Sequence, residues 1–163
     1  MRSIFSLACI ASFALCAPVQ SQTLVHWGDV PGWEIMVDPT LGNGCLIQSE
    51  FTDGSTVRIG LDAQEGNGYL TAFNENWGDI EEGAVYPVSF DLDGVIYHGE
   101  AEGIWLDDVP GADIVFDNVE FIVDIAAKRV LTLYHDGDEV MAIDLAGTAV
   151  GLEQVFICQD AQR

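Results

Sequence analysis

Apolar and polar positions alternate along most of this chain, and Asp-Gly pairs cut the alternation. Asp53-Gly54, Asp93-Gly94 and Asp136-Gly137 each separate two runs of alternating or β-branched residues. Asp-Gly accommodates the positive φ angles of tight hairpin turns, so each pair predicts two antiparallel strands. The first joins residues 45–52 to 55–61, the second 85–92 to 95–99, and the third 130–135 to 139–145. Residues 33–37 also alternate, ahead of the Asp38-Pro39 break. Residues 69–73 read as a further strand between Gly66-Asn67-Gly68 and Asn74-Glu75-Asn76. Pro87 has no N–H to give to a ladder, so its run predicts an edge strand or a bulge.

Two segments keep a helical period instead. Phe116, Val119, Ile122, Val123 and Ala126 recur at three- and four-residue spacing, the stripe of a helix packed on one face. Asp117 is placed to cap it, with Glu120 in the third helical position and Lys128 and Arg129 at the cation-favouring end. Gly147-Thr148 opens a second short helix, with Leu152, Val155 and Phe156 on one side and Cys158 at its end. The fold class that follows is α+β, mostly antiparallel β: a β-sandwich or curved sheet with two short helices, in a single β-rich domain over residues 23–163.

Residues 1–22 stand apart. Arg2 precedes a short apolar run at 4–15, and Ala17-Pro18-Val19-Gln20-Ser21-Gln22 is small and polar. This predicts a secretory signal peptide removed near Gln22, with the mature protein in the periplasm or secreted. Leu15 stands before Cys16 where a lipoprotein signal carries a small residue, so no lipid anchor is expected. No second apolar run approaches spanning length, so no integral membrane segment is expected either. Cys9 and Cys16 leave with the signal. Cys45 and Cys158 remain, and an even pair in an oxidising compartment predicts one disulfide. Neither lies in a C-x-x-C motif, and neither adjoins a His or Lys that would activate a thiol.

Composition sharpens the picture. Apolar residues make up 49% of the chain, which argues against disorder. Without residues 1–22, four basic side chains face 27 acidic ones, a formal charge of −23. Such a surface repels phosphates, so nucleic acid and anionic membranes are not expected as partners. It suits a salty medium, a cation or a basic partner.

Trp33-Glu34-Ile35-Met36-Val37 followed by Gly44-Cys45-Leu46 resembles the opening segment of small exported alphaproteobacterial proteins, the invasion-associated locus B-like group. Ile143-Asp144-Leu145-Ala146-Gly147-Thr148 followed by Leu152, Val155 and Cys158 resembles their closing segment. The resemblance covers the two ends better than the middle. It implies an exported β-rich domain with a structural disulfide, and it carries over no catalytic residue. The chain departs from that group in its single mature cysteine pair and its strong acidity.

Motifs of known chemistry are sparse. His26, His98 and His135 have no i, i+4 partner and no H-x-H spacing, so they read as surface or turn residues and no metal site is expected. Asp91-Leu92-Asp93-Gly94 and Asp136-Gly137-Asp138-Glu139 resemble fragments of calcium loops, which leaves room for weak calcium binding only, and no cofactor is expected. In the first, the Gly comes two positions early for an EF-hand. Ser49, Ser55 and Ser89 lie outside any G-x-S-x-G elbow. Trp33 and Trp105 read as core. The recognition-like stretch is Asn74-Glu75-Asn76-Trp77, which sets amides, a carboxylate and an aromatic at a strand exit. The resulting expectation is an exported, non-enzymatic binding domain for a protein or glycan partner. A small hydrolase using acidic residues and a structural envelope component are its rivals.

Overall fold

The computed structural model describes residues 23–163; the expected signal peptide, with Cys9 and Cys16, lies outside them. The chain runs β1 (Val25–Val30), β2 (Trp33–Asp38), a 3-10 turn (Pro39–Leu41), β3 (Gly44–Glu50), β4 (Thr56–Asp62) and β5 (Asn67–Phe73). It continues through β6 (Val85–Leu92), β7 (Val95–Leu106), β8 (Val109–Phe116), α1 (Glu120–Ala126), β9 (Val130–His135), β10 (Asp138–Asp144) and α2 (Thr148–Ala161). The ten strands form one sheet in the order β1-β2-β3-β4-β5-β8-β7-β6-β9-β10. Every neighbouring pair is antiparallel. The sheet is not closed into a barrel: β1 and β10 are free edges. This is the α+β curved sheet that the hairpin signals predict.

The two tightest hairpins sit on their Asp-Gly pairs. Asp93 and Gly94 have φ of 52° and 88°, and Asp136 and Gly137 have the same pair of values. Both residues with φ > 0 define the turn whose twist matches flanking strands. Two hairpins lack that signal and escaped the sequence reading. Pro31-Gly32 turns β1 into β2, and Asp107-Asp108 turns β7 into β8, with Asp107 at φ 53°. β7 therefore runs on to Leu106, seven residues beyond the expected strand.

Pro87 corrects another expectation, because β6 lies inside the sheet, between β7 and β9. Its missing N–H and its carbonyl face the β9 side, just past the last paired residues, Val88 and His135. There the His135 ring donates Nδ1–H to the Pro87 carbonyl at 2.9 Å. The proline costs no ladder bond because the ladder has already ended.

The inner face of the sheet carries the core. Ile35, Ile47, Ile59, Leu70 and Ile114 lie side by side across five strands and are buried. Leu131, Leu133, Met141 and Ile143 extend the same cluster onto β9 and β10, and both helices pack into it. The sheet also splits. β7 pairs with β8 only through Glu102–Leu106; beyond that β7 follows β6 and β8 follows β5. Phe90, Tyr97, Phe116 and Phe121 fill the wedge, with ring centroids 4.5–6.2 Å apart.

The helices differ from the sequence reading in detail. Phe116 ends β8, and Val119 and Val123 are exposed; Ile122 and Ile125 are the buried positions of α1. The capping oxygen belongs to Asn118, not Asp117: it accepts from the Glu120 N–H at 2.8 Å. Glu120 is thus the first helical residue. α2 has 14 residues and continues three beyond Cys158. It buries Gly151, Leu152, Val155 and Cys158 and turns Phe156 outward. The Cys45–Cys158 disulfide joins β3 to this helix, with Cα atoms 6.1 Å apart. The Cys45 N–H also donates to the Gln159 side chain at 2.9 Å. The start of α2 rests on the first hairpin: Trp33 Nε1 donates to the Ala146 carbonyl at 3.0 Å. Gly147 must be glycine, since φ is 82° and a Cβ would lie 2.4 Å from the Pro31 carbonyl oxygen.

Candidate functional site

The helices cover one end of the inner face. The segment 74–84 crosses the other end and leaves a cleft of about 360 Å³. Its entry is fixed by a buried polar relay. Asn74 is buried; its Nδ2 donates to Ser55 Oγ at 2.8 Å, and its Oδ1 accepts from the Asn76 N–H at 2.8 Å. Ser55 in turn donates to Asp53. Farther along, the Glu81 N–H donates to the Tyr86 hydroxyl at 2.9 Å. Gly103 lets the segment pass, because a Cβ there would lie 2.2 Å from the Glu81 carbonyl oxygen.

Of the sequence-predicted stretch, Asn76 and Trp77 reach the lip of this cleft. Trp77 is half-buried and packs against the core cluster. Glu75 is exposed beside it, while Asn74 faces inward to the relay. Val88, Leu133 and Val140 form the apolar wall opposite, and His135 closes one end with its ring edge-on to Tyr86 at 5.6 Å. Glu75, Asp79, Glu81 and Glu82 make the covering segment acidic. The floor is therefore apolar and the roof negatively charged.

A second concavity, about 440 Å³, lies on the outer face across β4, β5 and β8. Sequence reading missed it. Arg58 is half-buried there, donating Nε–H to Gln48 Oε1 at 2.8 Å, with its guanidinium 5.3 Å from the centroid of the Phe73 ring. Thr71 donates its hydroxyl to Asp113 Oδ1 at 2.6 Å. Among the described residues three groups have displaced acidities, and all three line this groove. Burial lowers the Arg58 pKa and raises that of Tyr69. Burial also raises Asp113, with Glu102 and Asp62 adding to the shift and the Thr71 hydrogen bond opposing it. Trp105 lies on this groove and is 39% exposed, so it is not the core residue its sequence context suggested. Trp33, at 4%, is core. The available signal was Arg58 itself, a lone cation inside the strand pattern Thr56-Val57-Arg58-Ile59-Gly60-Leu61-Asp62 of a very acidic chain.

Neither concavity holds a metal-ligand set: among the described residues no group of three or more His, Cys, Asp or Glu could hold a metal ion. In the first of the two Asp-Gly stretches considered for calcium, both carboxylates accept backbone N–H groups. Asp91 accepts from the Gly94 N–H, and Asp93 accepts from the N–H groups of Arg129 and Val130. His135 lies 3.6 Å from Asp136.

The fold has a solved counterpart. The crystal structure of invasion associated protein B from Bartonella henselae superposes with a TM-score of 0.59 at 16% identity, over 85% of this chain and 99% of that one. At that identity the likeness shows a shared fold, in line with the resemblance at the two ends of the sequence. No family model matches the chain, and no curated protein matches it. Among the described residues no helix is long and apolar enough to cross a membrane.

Proposed function

We propose that this protein is an exported binding domain of the invasion-associated locus B-like kind, without catalytic activity of its own, working in the periplasm or outside the cell. The signal-like first 22 residues and the Cys45–Cys158 disulfide support export. The shared fold with the Bartonella protein supports the kinship. The observation that carries the binding role is the cleft beneath Asn76 and Trp77, an apolar floor under an acidic covering segment. Concave apolar sites with a few placed polar groups are where ligands bury surface. The charge selects the partner: a basic protein segment with an apolar anchor, which the acidic roof attracts and the floor receives. β10 supplies Val140 to the cleft and is a free edge, so an extended segment can also pair with it.

Selection from a displayed library of random dodecapeptides tests this. The wild-type protein should enrich sequences with Lys or Arg around an aliphatic or aromatic residue, and binding should weaken as salt rises. Trp77→Ala should lose the enrichment. A selection that yields no consensus, or one that Trp77→Ala retains in full, would overturn the proposal.

A further inference from the structure

The split between β7 and β8 leaves two strand edges inside the sheet. Gly103 settles which way β7 directs its backbone. Its N–H donates to the Ala84 carbonyl at 2.8 Å and its carbonyl accepts from the Gly83 N–H at 2.7 Å, both on the β6 side. Alternation along the strand then turns the N–H and C=O groups of His98, Glu100 and Glu102 toward β8. On β8, the Pro110 carbonyl accepts from the Asn74 N–H at 3.1 Å on the β5 side, so Asp113 and Val115 direct theirs toward β7. Glu102 and Asp113 are the last pair of the β7–β8 ladder. Beyond them His98, Glu100 and Val115 have no ladder partner, while β6 and β5 go on pairing along the far sides. All three residues line one cavity of about 320 Å³, so the two edges face each other across it.

The two sides of this slot differ. Phe90, Tyr97, Ile114, Phe116 and Phe121 line it on the side of the core. Glu100 and Glu102 flank the buried Ala101 and so point the other way, outward. Glu102 stands directly opposite Asp113 at the apex of the split, and Asp117 adds a carboxylate to the lining. Like charges opposed across two strands repel, and a cation set between them relieves this. The occupant that fits is an extended chain with hydrogen bonds to both edges, an apolar row facing the aromatic rings and a basic row facing outward. A second copy of this acidic chain is repelled, so the occupant comes from a basic partner.

We infer that an extended basic segment of a partner protein inserts between β7 and β8 as an added strand, with Lys or Arg toward Glu100, Glu102 and Asp113. The slot shares no lining residue with the cleft under Trp77. A segment added to the free edge of β10 uses one alternate set of its N–H groups; a strand held between two edges uses both. The probe is the capped hexapeptide Lys-Val-Lys-Phe-Lys-Val, with Glu-Val-Glu-Phe-Glu-Val as the acidic comparison. Each is added to the intact mature protein and to its Trp77→Ala variant, and amide hydrogen exchange is followed by NMR. The basic peptide should slow exchange at His98, Glu100 and Val115 about tenfold or more in both proteins, and the acidic peptide should not. N-methylation of either alternate set of peptide amides should weaken binding about tenfold or more. Glu100→Lys changes an exposed side chain, so it should weaken binding while its melting curve stays near wild type. No slowing at those three amides, slowing that vanishes in Trp77→Ala, or slowing by the acidic peptide overturns the inference. So does full affinity in Glu100→Lys or with either N-methylated peptide. Failure of peptide selection at the Trp77 cleft leaves all these readouts as expected, so the two readings fail separately.

Discussion

Asp113 keeps its proton to a higher pH than the ordinary 3.8, first because it is partly buried and then because Glu102 and Asp62 are near. The sign for stability follows. Between the unfolded and the raised folded pKa, the folded chain binds more protons, so this group's contribution falls as pH rises through that window. Asn keeps the hydrogen bond from Thr71 and carries no charge. Asp113→Asn should therefore gain stability relative to wild type on going from about pH 4 to about pH 7, read by urea denaturation at each pH. A difference that stays flat, or that turns against the variant, would show that Asp113 is solvated well enough to ionise freely. Residues of this kind are the least legible in sequence. Trp33 and Trp105 both sit in apolar stretches, yet one is core and the other lies at the groove. Register sets both on the same side of the sheet, but Trp105 lies one residue from the end of β7, opposite Pro110 and past Gly111, the last β8 residue that β5 pairs with. Arg58 is legible as an oddity, but its neighbours Thr71 and Asp113 come from strands 13 and 55 residues later.

At the scale of elements, the hairpins were readable because their turn chemistry is local. Asp-Gly fixes φ at two positions, and strand pairing follows from the turn. Pro31-Gly32 and Asp107-Asp108 do the same work with less distinctive residues. The α1 stripe misled because Phe116, Val119 and Val123 keep helical spacing without sharing the buried face. Phe116 belongs to the aromatic wedge between β7 and β8, and that wedge exists only in the assembled sheet. α2 is held by local and distant terms together: its apolar side, the Gln159 contacts to β3, and the disulfide. The bridge closes 113 residues, so its loss releases much chain entropy on the unfolded side. Cys158→Ser should cost about 2–5 kcal/mol in urea denaturation of the oxidised protein. Wild-type thiols at 45 and 158 that react with a maleimide under native, non-reducing conditions would contradict the bridge.

For the whole molecule, charge is the dominant long-range term. Among the described residues the cation–carboxylate contacts are the Arg163–Asp160 ion pair and the close approaches His26–Asp29 and His135–Asp136, all at exposed or half-exposed positions. They offset little of a formal charge of −22, since such pairs contribute about 0–1 kcal/mol. Self-repulsion should therefore be relieved by screening, and the melting temperature should rise between about 0.02 and about 0.5 M sodium chloride. A flat or falling melting temperature would mean that the acidic side chains are too far apart to couple. The opposed faces of the sheet, with a cleft inside and a groove outside, follow from topology and could not be read from any one segment. The long span between β3 and α2 also has a temporal meaning. A chain made from its N-terminus at about 5–20 residues per second presents Cys45 about 6–23 s before Cys158 exists. During that interval β2, β3 and β4 expose Ile35, Ile47 and Ile59 with no helix to cover them. The last 14-residue element is thus the lid of the nascent protein, and a chain halted before it displays the sticky surface from which chaperones and aggregation begin.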